Sequence, residues 1–114
     1  MEQYDRGSLN TASAAFEQFL AEYTDQAHTV DAHYYLADIL TQQNRPEDAL
    51  EALEEIQQLF PTAARVPDAL YRIAVLQVEL DDTDAARATL ERLMNTYPDA
   101  DISMLARDLL RRIG

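Results

Sequence analysis

Apolar and small residues recur along this chain at three- and four-residue steps, the spacing of one face of an α-helix. From Asp31 they are Ala32, Tyr35, Leu36, Ile39 and Leu40; from Pro46 they are Ala49, Leu53, Ile56 and Phe60. The whole set returns when the chain is shifted by 37 residues: Ala12, Ala49 and Ala86 align, as do Phe16, Leu53 and Leu90. Phe19, Ile56 and Leu93 follow in the same register, then Tyr23, Phe60 and Tyr97. The preceding half repeats as well, through Ala32, Ala69 and Ala106, then Leu36, Ile73 and Leu110, then Ala37 and Ala74. A period of this length marks a stacked array of supersecondary units, each of which buries its apolar face only against a neighbour.

Punctuating residues place the helix ends. Asp31 and Asp68 are expected as N-caps of the first helix of each unit. That helix is expected to stop near Gly7, Asn44 and Asp81, one repeat position filled by the residue types that best tolerate a left-handed backbone. Pro46 suits the first turn of the second helix, and Pro61 and Pro98 end the second helices because proline cannot continue the ladder. The segment Pro61 to Pro67 is the expected link between units. Ala37 with Ala49, and Ala74 with Ala86, let the two helices of a hairpin approach closely, while the Leu, Ile and Phe sets fill the layer between hairpins.

The expected fold is therefore all-α, a single domain over 1–114 built of antiparallel helix hairpins at the 37-residue period. It comprises a partial first unit at 1–24, full units at 31–61 and 68–98, and a capping helix at 102–113. In that last helix Arg111 takes the small-residue slot, flanked by Asp108 and Arg112. Register puts Met1 to Arg6 at the tail of a helix, so the chain is expected to begin within a unit and to be one piece of a longer protein.

Composition narrows the function. Hydrophobic residues make up 47% of the chain, ample for a core. No run of about 18 apolar residues exists, so no membrane insertion is expected, and no signal peptide follows Met1. With no cysteine there are no disulfides and no thiolate chemistry, and the redox compartment is not legible. Acidic residues outnumber basic ones 21 to 9, for a net charge of -12, and all nine basic residues are Arg. Nucleic acid and anionic membrane surfaces need clustered positive charge, so neither is an expected partner. Two accounts of the acidity stay open: the general residue usage of a GC-rich or salt-adapted host, or a surface that steers a basic partner. The spread of Asp and Glu along the chain favours the first.

Catalytic chemistry finds few materials. His28 and His33 lie outside any His-Glu-x-x-His pattern, and Gly7 and Gly114 cannot form a phosphate loop. The run Asp81-Asp82-Thr83-Asp84 lacks the glycine and closing Glu of a calcium loop, and its place at a hairpin turn makes it a helix stop and cap. Ser8, Ser13 and Ser103 have no base in register with them. No enzyme activity, catalytic residue, metal or cofactor is expected.

The order of small and large residues in the first helix, then Ala and two bulky residues in the second, then Pro, resembles the tetratricopeptide repeat over essentially the whole chain. The family unit is usually 34 residues; here three more fall between Thr62 and Pro67. Thr24 stands where the first unit should have Pro, and His33 and Leu70 stand where the family often has Trp. The resemblance implies a right-handed superhelix of about three repeats, whose first helices line a concave groove for a protein or peptide partner. Carried onto this sequence, the groove comprises Asp31, Tyr34, Asp38, Thr41 and Gln42, then Asp68, Tyr71, Val75, Val78 and Glu79. Tyr34 and Tyr71, one repeat apart, are either binding anchors or ordinary repeat packing. No Lys exists and Asn44 sits in a turn, so the carboxylate clamp of chaperone cofactors is missing. The groove suits an extended or helical peptide with apolar and basic residues.

The stretches DAHYYLADIL and FPTAARVPDALYRIAVLQVELDDTDAARATLERLMNTYPDADISMLARDLL further resemble the C-terminal domain of the Tol-Pal-associated cell division coordinator family. That likeness implies a periplasmic module of the bacterial cell envelope that binds TolA. The alternative expectation is a structural self-assembly scaffold, cytoplasmic or similar to the outer-membrane assembly lipoprotein BamD. Its homo-oligomer would form through the uncovered N-terminal repeat face.

Overall fold

The computed structural model describes residues 10–15, 17–18 and 26–114, with residues 26–28 described by their backbone alone. The expectations for Met1 to Arg6, Gly7, Ser8, Phe16, Phe19, Tyr23, Thr24 and the His28 ring lie outside the described residues. Helical residues 10–15 and 17–18 precede five helices: α1 (Gln26–Gln42), α2 (Pro46–Leu59), α3 (Val66–Glu79), α4 (Thr83–Thr96) and α5 (Ile102–Ile113). No strand occurs among the described residues. The chain divides into two compact units, Met1–Ala63 and Ala64–Gly114. In the first, α1 packs against α2; in the second, α3 packs against α4 and α5 rests on both.

Both hairpin turns close in the same way. Asn44 and Asp81 each adopt φ of 63°, the left-handed conformation expected at that repeat position. Around Asn44, the Arg45 N–H donates to Leu40 O at 2.9 Å and the Asn44 N–H to Thr41 O at 3.0 Å. Around Asp81, the Asp82 N–H donates to Gln77 O at 2.8 Å and the Asp81 N–H to Val78 O at 3.0 Å. These are the paired bonds of a Schellman stop, which satisfy carbonyls that the helix leaves open. The Gln43 side-chain amide reaches from the first turn to Asn10 Oδ1 at 2.7 Å.

The second helices also end alike. Phe60 and Tyr97 leave helical geometry at φ/ψ of -134°/63° and -127°/60°, and their N–H groups still bond to Ile56 O and Leu93 O. Proline disfavours helical geometry in the residue before it, so Pro61 and Pro98 act one position ahead of themselves.

Helix starts depart from expectation. Pro46 opens α2 as foreseen, but α1 begins at Gln26, which leaves Asp31 inside the helix, and the N-cap of α3 is Arg65. Asp68 falls in the first turn of α3, where a carboxylate complements the helix dipole without capping a backbone N–H. The link between units is shorter than Pro61 to Pro67, because α3 already starts at Val66 with Pro67 in its first turn.

The core follows the repeat. Ala37, Ala49, Ala74 and Ala86 are buried, as are Leu53, Ile56, Leu90 and Leu93. Each such Leu or Ile contributes roughly 1.5–3 kcal/mol of transfer free energy. Tyr35 leaves the expected apolar stripe and is 46% exposed; its equivalent one repeat later, Arg72, is exposed too. On α5, Ser103 and Ala106 are buried, and the Ser103 hydroxyl donates to Tyr97 O at 2.6 Å, fastening this helix to the end of α4. The outer side of α5 is not uniformly polar: Met104 and Leu105 are exposed beside Arg107, Arg111 and Arg112.

Candidate binding surfaces

The ten residues expected to line a groove fall on two helices in matched register. Asp31, Tyr34, Asp38, Thr41 and Gln42 lie on α1, and Asp68, Tyr71, Val75, Val78 and Glu79 on α3. None belongs to the buried core, and Thr41, Gln42 and Glu79 are exposed. The Thr41 hydroxyl donates to Ala37 O at 2.8 Å, so its proton is engaged within its own helix. The Tyr34 ring meets Tyr35 edge to face, with centroids 6.2 Å apart and planes at 83°. Tyr71 is partly buried, and Arg72 takes the place next to it that Tyr35 takes beside Tyr34. Each compact unit thus assembles its own set of five.

The residues that drew attention for chemistry are taken up structurally. His33 is buried at the repeat position that Leu70 fills in the next unit. Its Nδ1 donates to Thr29 O at 2.9 Å, and its Nε2 lies 3.3 Å from Glu55 Oε1 on α2. The ring is thereby held between the two helices of its hairpin. In the acidic run, Asp81 is the left-handed stop, Asp82 caps α4 by accepting from the Ala85 N–H at 3.3 Å, and Asp84 pairs with Arg87 at 3.0 Å. Among the described residues no group of three His, Asp or Glu side chains is placed to hold a metal ion.

A surface that the sequence reading missed lies in the first unit. A cavity of about 400 Å³ has a floor of Leu36, Leu40 and Ala52. Glu17, Asp48, Glu51 and Glu55 ring that floor, and among the described residues Arg45 is the cation of the lining, bound to Asp48 at 2.9 Å. None of the ten groove residues lines it. The second hairpin offers an internal comparison. There the equivalents of Leu40 and Ala52 are Gln77 and Thr89, joined by a 2.8 Å hydrogen bond, while Ala85, Ala88 and Arg92 replace Asp48, Glu51 and Glu55. The apolar floor and acidic rim are therefore not demanded by the repeat. Position-by-position comparison of charge across the repeat would have found them.

Charge differs between the units as a whole. Met1–Ala63 carries twelve acidic residues and two Arg, a net of -10, whereas Ala64–Gly114 carries nine acidic residues and seven Arg, a net of -2. The even spread of Asp and Glu hides this asymmetry, which comes mainly from the arginines.

Comparison with known proteins agrees with the helical repeat. Residues 1–64 match a family model described as tetratricopeptide repeat, and residues 68–100 match a second model of the same description. Peroxisomal targeting signal receptors of Komagataella phaffii and Komagataella pastoris are each 37% identical over 92 residues, which is 80% of this chain. The chain spans 15% of the length of these relatives. Among the described residues no helix is long and apolar enough to cross a membrane. With 37-residue hairpins, paired Schellman turns, buried alanines at matched repeat positions and these matches, the chain belongs to the tetratricopeptide repeat family.

Proposed function

We propose that this chain is a non-catalytic scaffold that binds a protein or peptide partner through the outward faces of α1 and α3. The observation that carries this reading is the matched pair of five-residue sets, which stand outside the core and centre on Tyr34 and Tyr71. A tyrosine offers a large ring with a polar tip, the chemistry of an interface anchor. The finer proposal is a periplasmic module of the Tol-Pal coordinator type, with TolA as partner; it rests on the resemblance of the stretches Asp31–Leu40 and Phe60–Leu110 to that family. A second reading has its own support: the similar Komagataella proteins are named as receptors of a targeting signal, which favours recognition of a short peptide segment.

Titration of the purified chain against the periplasmic domain of TolA, and in parallel against a peroxisomal targeting peptide, separates the two. Tyr34→Ala with Tyr71→Ala is expected to weaken binding at least about tenfold, the effect of removing anchor aromatics. Helicity and melting temperature should stay close to those of the parent. A large fall in melting temperature would assign both rings to packing. Binding of the peptide alone moves the chain to the second reading, and binding of neither probe removes both specific partners.

A further inference from the structure

The acidic, apolar-floored cavity of the first unit and the outer side of α5 have opposite chemistries, and neither is accounted for by partner binding along α1 and α3. We propose that the cavity receives helix α5 of a second copy of this chain, so that the protein self-associates head to tail.

The cavity asks for a cation carried beside apolar surface. Leu36, Leu40 and Ala52, each at most 7% exposed, form an apolar floor, and among the described residues Glu17, Asp48, Glu51 and Glu55 stand over it with Arg45. The second hairpin shows that a tetratricopeptide hairpin does without this arrangement, since the Thr89 hydroxyl donates to Gln77 Oε1 there and three of the four acidic positions become Ala85, Ala88 and Arg92.

Helix α5 supplies the complement. Met104 and Leu105 are 70% and 52% exposed near its start, whereas most other large apolar side chains among the described residues are buried or half-buried. Three- and four-residue steps carry those faces on to Arg107, Arg111 and Arg112. Arg111 and Arg112 both lean on the single carboxylate of Asp108, at 3.2 Å each, so this end of the helix keeps an excess of positive charge. Seated in the cavity, Met104 and Leu105 cover the apolar floor, and the arginines meet Glu17, Glu51 and their neighbours. The two surfaces differ, so the contact is heterologous, and a pair keeps one free cavity on one copy and one free α5 on the other for further growth.

Sedimentation velocity over a range of protein concentrations tests this. At low salt the sedimentation coefficient should rise with concentration, and the rise should vanish near 0.5 M NaCl, where the Debye length falls to roughly 4 Å. Arg111→Glu with Arg112→Glu should abolish the rise, and so should Glu17→Arg with Glu51→Arg. All four residues are exposed, so circular dichroism should match the parent for each variant. Mixing the two charge-reversed variants should restore association, because the reversed helix of one then faces the reversed cavity of the other. A chain that stays monomeric at every concentration overturns the proposal. So does association that survives either reversal, or reversed variants that fail to associate when mixed. The Tyr34 and Tyr71 substitutions touch neither surface, so loss of partner binding and loss of self-association are read independently.

Discussion

Asp81 shows how much one backbone conformation contributes at the residue scale. It is exposed and holds φ of 63°, and its backbone N–H completes the stop of α3 by bonding to Val78 O. A side chain with a Cβ pays roughly 1–2 kcal/mol in the left-handed region, and Asp or Asn offsets part of this through local hydrogen bonding. Asp81→Ala should therefore lower stability by about 1 kcal/mol, whereas Asp81→Gly should be neutral or stabilising, as thermal unfolding of the two variants would show. Equal melting temperatures for both would mean that the turn tolerates any residue. His33 makes the complementary point about side chains. It occupies a core position that the next repeat gives to Leu70, and it does so by satisfying one ring nitrogen on Thr29 O and placing the other against Glu55.

At the scale of helices, small residues set how closely paired helices run. Ala74 and Ala86 are both fully buried, on α3 and α4 of one hairpin. Ala86→Leu forces extra volume into this fully buried site and should cost about 1–3 kcal/mol in chemical denaturation. Ala88→Leu, on the exposed side of the same helix, should change stability little. If both changes cost the same, the alanine pairs do not set the crossing. The buried alanine positions, the left-handed stops at Asn44 and Asp81 and the proline ends were legible in the sequence because each depends on a narrow choice of residue at one repeat position. Helix starts were less so. An Asp serves equally well as an N-cap or in the first turn, so Asp68 could not be placed to within three residues, and Gln26–Val30 carry no signal that separates them from α1. The ten groove positions could be written from the repeat register, yet the cavity could not. Its lining comes from Glu17, α1 and α2, and its character emerges only when equivalent positions of the two hairpins are compared.

For the molecule as a whole, the uneven charge predicts uneven stability. The first unit holds a net -10 and the second a net -2, so mutual repulsion of carboxylates weighs on the first. In the second unit, Arg87 pairs with Asp84, and Arg111 and Arg112 with Asp108, on exposed or half-exposed side chains where such pairs contribute about 0.2–1 kcal/mol and weaken with salt. Raising ionic strength from about 0.01 M to 0.15 M shortens the Debye length from roughly 30 Å to 8 Å. That change relieves repulsion across the first unit and slightly loosens the ion pairs of the second. In dilute protein, where copies remain apart, amide hydrogen exchange in α1 and α2 should slow as salt is added, while exchange in α3, α4 and α5 should hold steady or quicken slightly. Equal slowing in both units would mean that salt acts through general solvation and that the charge asymmetry leaves stability untouched. Slowing confined to α1 and α2 would identify the carboxylates that ring the cavity, with their neighbours, as a standing cost to the first unit. A cost carried by exposed charges is one that a bound cation can relieve, so the same amides should also slow when a basic partner or a second copy is supplied at low salt.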